Sequence, residues 1–493
     1  MNKFTSMALG ALFFFTGTLA QPNEYTLQEV VQKARSESPA WFSAETRKEN
    51  QYWQYRTYRS DYNPQLLLSG TLPSFNKSVQ PVTQQDGTVI YREIHNNNLD
   101  VQIGLNQIIA PTGANISVFS SLNRYDNLVS GDEYKQYSGQ PVSIALNQPI
   151  FQFNQYRWNK MIKPLEYEES QKRYFEELEQ ISINTTRRFF ALLIAQIQLE
   201  IAQKNVQSND TIYRIAEGRY NLGKITENDL LQLELNLVNS NLAVSQASVD
   251  QQQASLNLKS FVGLSDRSAT IQLVLPAEIP QFEVDENVAL AEAKKNKVDR
   301  ISFKRRLLQA QQEVARAKRT SGVNMNLTAV YGLVGVSDQD MQLADVYKNP
   351  SDNVRVALQL NVPILDWGRQ KARIMTALAN QKLVEYQLLQ DEETFEQEVL
   401  TQVRNFNLLR EQLVSRVKSD EIAEKAYNIS KQLFLIGKIS ITDLNQALAS
   451  KDNAKLNYIT SLQDFWMAYY QLREKSLYDF ENNQLLVRDI QTD

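Results

Sequence analysis

The chain has 493 residues, with 52 Lys plus Arg against 56 Asp plus Glu and a net charge of −4, which gives no reason to expect a nucleic-acid partner. Cysteine is absent, so disulfides, thiol catalysis and a lipidated N-terminal Cys are excluded. The one histidine, His95, argues against a His-based triad or metal cluster. The many carboxylates lie beside a similar number of cations in helical stretches, where solvated faces and i,i+4 pairs account for them, so neither enzyme activity nor a cofactor is expected.

In chain order, residues 1–20 read as a secretory signal peptide: Lys3, an apolar run over 7–15, then Thr18-Leu19-Ala20 as the cleavage site. That run is too short for a membrane span, and no later stretch approaches the ~20 apolar residues a transmembrane helix needs. Residues 26–60 carry Leu27, Val30, Val31 and Ala34 at helical spacing, with Pro64 as the stop. The region 64–150 then changes period. Leu66, Leu68 and Leu72 hint at a first strand, and Val142, Ile144 and Leu146 alternate with polar or small residues in a last one. Between them, Leu99, Val101, Ile103 and Leu105 alternate in one stretch, and Ile116, Val118 and Leu122 in another after Pro111-Thr112-Gly113. These two read equally as added strands or as a hairpin projecting outward.

Residues 165–217 contain no Gly or Pro and read as a long helix with Pro164 in its first turn. A return helix runs over 226–262, and 265–284, with Pro276 and Pro280, is a linker. A second helix near 286–320, strands at 323–335 and 353–364, a Gly- and Pro-free stretch over 369–436 and a return helix from 440 to about 480 follow, leaving 481–493 as a tail. In the strand at 353–364, Val356, Leu358 and Leu360 alternate with Arg355, Ala357, Gln359 and Asn361. Phe153 and Trp367 follow the two closing strands at equivalent places, as interface aromatics do in membrane barrels.

The elements repeat. Tyr220-Asn221-Leu222-Gly223-Lys224-Ile225-Thr226, leading to Asp229-Leu230, matches Phe434-Leu435-Ile436-Gly437-Lys438-Ile439-Ser440, leading to Asp443-Leu444, at an offset of 437 − 223 = 214. Leu146-Asn147-Gln148-Pro149-Ile150 matches Leu360-Asn361-Val362-Pro363-Ile364 at the same offset, 360 − 146 = 214. Upstream, Ala34 and Pro39 match Ala293 and Val298 at 293 − 34 = 259. The chain is thus two copies of one unit, 21–264 and 285–480, and the first carries about 259 − 214 = 45 extra residues inside 64–150. Each tip, 220–226 and 434–440, reads as two helices joined by a very short turn. Glycine takes the left-handed position, Thr226 or Ser440 supplies the N-cap, and Asp229 or Asp443 completes a capping box.

Strict alternation set between long helices points to strands that face lipid on one side and water on the other. Val142, Ile144, Leu146, Val356, Leu358 and Leu360 are the expected lipid face. The expected fold is a mixed α and β membrane protein, internally duplicated, with four strands per chain, or six if the insertion adds two. Outer-membrane barrels start at about eight strands, and an open edge in lipid leaves backbone groups unpaired, so the barrel must be shared among copies of the chain. Three copies of four strands give twelve, with the long coiled-coil-like helices forming a periplasmic tube. The bland alternative, a secreted coiled-coil structural or adhesion protein, leaves the alternating strands and the shared offset unexplained.

The duplicated unit, the L-N-x-P-I passage and the paired tips together resemble the TolC family of outer-membrane channel proteins over nearly the whole mature chain. The resemblance implies a homotrimer in the outer membrane of a Gram-negative bacterium. It would dock on a periplasmic adaptor and an inner-membrane pump to pass small toxic molecules or proteins. It implies adaptor docking at Leu222, Gly223, Lys224 and Thr226 and at Ile436, Gly437, Lys438 and Ser440. Asp229 and Asp443 would line the periplasmic entrance. Well-known members carry a second acidic residue where this chain has Gln446, and an Arg where it has Ile439.

Overall fold

The structure, a computed structural model, describes residues 23–264, 271–276, 280, 282–337 and 342–487. The expected signal peptide, half of the linker (265–270, 277–279 and 281) and the end of the tail lie outside the described residues. The first copy holds β1 (Asn23–Tyr25), α1 (Leu27–Glu37), α2 (Pro39–Ser60), β2 (Gln65–Thr83), β3 (Val89–Ile109), β4 (Ala114–Asn127), β5 (Tyr134–Ile150), α3 (Gln155–Asn221) and α4 (Glu227–Val262). Then come β6 (Ile271–Leu273), α5 (Glu286–Asn296), α6 (Asp299–Thr320), β7 (Asn324–Val336), α7 (Asp345–Lys348) and β8 (Ser351–Asn361). The chain closes with α8 (Arg369–Leu435), α9 (Ile441–Ser476), β9 (Tyr478–Asp479) and β10 (Gln484–Leu485). It divides into two compact units, one of residues up to 44, 176–289 and 401–486, the other chiefly of 45–175 and 290–400.

The first unit is helical. Its core sets Phe189, Phe190 and Leu192 of α3 and Phe406 and Leu413 of α8 with Ile459, Leu462 and Phe465 of α9, all fully buried. The rings of Phe282, Phe406 and Phe465 follow one another at 5.4 and 5.3 Å. Removing one such ring costs on the order of 3–5 kcal/mol. Glu179 is buried in the same unit. It accepts from Arg35 Nη1 at 2.8 Å and from Arg473 Nε at 3.1 Å, and Arg473 Nη1 also donates to Asp479 at 2.6 Å. A buried carboxylate persists only with such partners, and here they fasten α1 and the C-terminal segment to the long helices.

The second unit is built on one six-stranded antiparallel sheet, in the order β2-β3-β4-β5-β7-β8. Its register aligns side chains face by face, since directly opposed residues in an antiparallel ladder share a face. One row crosses all six strands: Leu66, Leu105, Val118, Ile144, Tyr331 and Val354, each exposed. The opposite face carries Gln65, Asn106, Ser117, Ala145, Val330 and Arg355 in the adjoining row. There Ser117 Oγ donates to Asn106 Oδ1 at 2.6 Å. The ends of the strands that continue into helices, at Gln65, Ile150, Asn324 and Asn361, lie together at one end of the sheet. Toward the other end, α7 packs on β5 and β7 and buries Val346 fully; the Val346 backbone leaves no room for a side chain at Gly335, and at Gly139 the Ser121 carbonyl does the same.

Several boundaries differ from those read in the sequence. The helix expected over 26–60 is two, broken at Ser38, whose Oγ accepts from the Trp41 N–H at 3.0 Å. The break recurs between α5 and α6 at the same offset, 38 + 259 = 297. It follows Ala34 in one copy and Ala293 in the other, both wholly buried, so it belongs to the unit and not to Pro39. Pro164 sits inside α3, which starts at Gln155 because Asn154 Oδ1 caps the Arg157 N–H at 3.1 Å. The helix α9 ends at Ser476, where Leu477 turns left-handed at φ 49°, and β8 ends at Asn361 instead of 364.

Candidate functional site

The two tips have the same backbone. Gly223 at φ 68° and Gly437 at φ 75° take the left-handed position. The Lys224 N–H donates to the Arg219 carbonyl at 2.9 Å and the Gly223 N–H to the Tyr220 carbonyl at 2.8 Å, which is the Schellman arrangement. Lys438 to Leu433 and Gly437 to Phe434, both at 2.9 Å, repeat it. Three residues later the return helix starts with a full capping box. Thr226 Oγ1 accepts from the Asp229 N–H at 3.1 Å while the Asp229 carboxylate takes the Thr226 N–H at 3.2 Å. Ser440 and Asp443 form the same pair at 3.2 and 3.1 Å. The Ser440 hydroxyl and N–H hold the Asp443 carboxyl below the ordinary carboxylate range.

Of the residues singled out in the sequence, Leu222, Gly223, Lys224, Thr226, Ile436, Gly437, Lys438 and Ser440 are all exposed, as are Asp443 and Gln446, whereas Asp229 is half-buried. The structure brings the two tips together. Ile212, Ala216 and Leu233 of the first copy form one buried cluster with Tyr427, Ile441 and Leu444 of the second. Asn236 Nδ2 donates to Asn445 Oδ1 at 3.2 Å, and Ser208 Oγ lies 3.1 Å from the Tyr427 hydroxyl. Sequence reasoning missed Arg219. Its Nη1 donates to the Phe434 carbonyl at 3.3 Å, so the first tip caps the end of the helix leading to the second. The residue at the equivalent place, 219 + 214 = 433, is Leu433, and the asymmetry between copies was the available signal.

On the return helix α4, Leu231, Leu235, Val238, Leu242, Val249 and Leu256 are exposed. Their spacings of 4, 3, 4, 7 and 7 follow a heptad, the pattern of a seam that seats a second helix. In the sheet, Ile144 and Leu146 share a face with Val354, Val356 and Leu358 through β7: Leu146 opposes Ala329, which opposes Val356. Val142, beside a register shift, and Leu360 are exposed as well. The aromatics at 153 and 367 differ in surroundings. Phe153 lies under the Arg316 guanidinium, 5.0 Å from the ring centre, whereas Trp367 takes φ 55° and stands 90% exposed. Among the described residues no group of acidic or histidine side chains is placed to hold a metal ion, and no helix is long and apolar enough to cross a membrane.

Comparison with curated protein sequences finds no match. Among solved structures, the Campylobacter jejuni CmeC outer membrane channel superposes with a TM-score of 0.65 at 18% identity, over 91% of this chain and 85% of that one. The outer membrane protein VceC of Vibrio cholerae gives 0.63 at 15% identity, over 91% and 95%. The open-state MtrE outer membrane channel of Neisseria gonorrhoeae gives 0.58 at 15% identity, over 91% and 88%. The outer membrane efflux protein family matches twice, over residues 110–264 and 288–474, once in each copy of the repeated unit. A match over both copies, on a fold shared with these channels, means that the chain belongs to the outer membrane efflux protein family.

Proposed function

We propose that the chain is the exit duct of a tripartite efflux system, with three copies joined in one outer-membrane barrel. The observation that carries this reading is the six-stranded sheet. It has an uninterrupted apolar row on one face and, among the described residues, two unpaired edges, and no membrane-spanning sheet is stable in lipid with its edges open. Copies related by rotation close such a sheet. The exposed heptad on α4 asks for a neighbouring helix in the same way. The apolar row meets lipid, with Phe153 and Trp367 near the membrane interface, and the opposite face lines the lumen. The two tips, exposed and joined by the shortest turns between the long helices, meet a periplasmic adaptor and through it an inner-membrane pump. Cargo, small toxic molecules or secreted proteins, then passes through the duct to the exterior.

Purified protein in a planar bilayer tests this. The duct reading expects discrete single-channel currents and a mass of three chains in mild detergent. A secreted coiled-coil protein gives neither, and a monomer without conductance overturns the proposal.

A further inference from the structure

The insertion in the first copy bears on how many staves the closed barrel has. Residues 65–71 of β2 pair with 100–106 of β3, and 96–109 of β3 pair along the whole of β4. Both β3 and β4 therefore reach the helix-bearing end of the sheet, as β2 does, and only the part of the β2–β3 hairpin past Asn96 extends beyond β4. Every strand of the sheet has at least the 11 residues of β8, and a tilted membrane strand needs about 9–11. The exposed apolar row from Leu66 to Val354 crosses all six without interruption. A hairpin lying outside the barrel would break that row at β4.

We propose that the assembled barrel has eighteen strands, six from each of three copies, sealed by pairing β2 of one copy with β8 of the next. This rests on the threefold assembly proposed above. The polarity fits: β2 leaves the helix-bearing end and β8 returns to it, so the two edges meet antiparallel. The lengths fit as well, since the 11 residues of β8 match residues 65–75 of β2, starting from the same end. With strands ~4.8 Å apart and tilted about 40°, eighteen staves enclose a barrel roughly 36 Å across, against roughly 24 Å for twelve. Barrels of 16–18 strands hold an open aqueous channel. The duct would therefore have a wide outer mouth, able to pass cargo larger than a small toxic molecule.

The absence of cysteine makes the seam testable by cross-linking. Leu68→Cys in β2 is combined in turn with Val354→Cys, Val356→Cys and Leu358→Cys in β8, and membranes are treated with a mild oxidant. The expected result is a ladder of covalent dimer and trimer for at least one pair. The control combines Val118→Cys in β4 with the same three partners and gives no ladder. A ladder from β4 with none from β2 means that twelve strands close the barrel and overturns the proposal. If neither forms, the number of staves in an electron-microscopy map of the trimer decides, eighteen supporting the proposal and twelve overturning it. A monomeric mass for the cysteine-free protein removes the assembly itself, and the eighteen-strand count with it, and is distinguishable from a trimer closed through β4.

Discussion

Asp443 shows how one carboxylate serves both fold and channel. It accepts from the Ser440 N–H at 3.1 Å and the Ser440 hydroxyl at 2.7 Å, and sits in the first turn of α9, where the helix dipole also favours an anion. Those bonds hold its pKa down, so the stabilisation they give is complete above the ordinary carboxylate range. It is lost only as pH falls through the lowered folded value. In a threefold assembly, Asp443 and Asp229 would form rings at the periplasmic mouth, and rings of Asp or Glu favour cations. Asp443→Asn keeps an acceptor oxygen for the cap and removes the charge. The expected outcome is a folded trimer with reduced cation selectivity in bilayer recordings, and Gln446→Asp should shift selectivity the other way. In the unmodified channel, the Asp443 contribution should persist into acid where ordinary carboxylates are already neutral. Unchanged selectivity in both variants would leave Asp443 as a helix cap alone.

The tips separate at the scale of the helical hairpin, although their backbones match. A non-glycine residue at left-handed φ costs roughly 1–2 kcal/mol, and this penalty applies to both Gly223→Ala and Gly437→Ala. A methyl at position 223 meets nothing within 4 Å, whereas at position 437 it lies 2.9 Å from Arg219 Nη2. The second substitution must also displace the guanidinium that caps Phe434, so it should loosen the tip more. Amide hydrogen exchange over 434–444 should rise further in Gly437→Ala than exchange over 220–230 rises in Gly223→Ala, and equal changes would deny Arg219 its role. The shared design was legible in the sequence because Gly, Thr or Ser, and Asp each serve a local backbone need at a fixed spacing. The duplication and the phase of the strand residues were legible for the same reason. Arg219 was not, because its partner is a carbonyl 215 residues away and no local pattern marks it. The start of α3 was misread because Pro164 is a stronger signal than Asn154, yet the Asn154 side chain caps the helix ahead of the proline and α3 runs through it.

The whole molecule depends on which face of the sheet meets lipid. Leu358 and Gln359 are neighbours in β8 that point to opposite faces: Leu358 opposes Leu327 in β7, and Gln359 opposes Asn326. Leu358 shares its face with Ile144 and Leu146, and Gln359 shares its face with Arg355, so the unmodified chain already carries an arginine on the Gln359 side. Both strand faces are open in the single chain, and only assembly in a membrane distinguishes them. An arginine on the lipid face near the midplane costs about 2–4 kcal/mol per chain, whereas one facing a watery lumen keeps its hydration. With three copies closing one barrel, the lipid-side penalty is incurred three times and the lumen-side substitution incurs none. Leu358→Arg should therefore sharply reduce the yield of assembled trimer in outer-membrane fractions. Gln359→Arg should assemble near the normal level and instead shift ion selectivity toward anions. Equal trimer yields for the two variants would show that the apolar row does not face lipid, and a collapse confined to Gln359→Arg would show that the sheet is turned the other way.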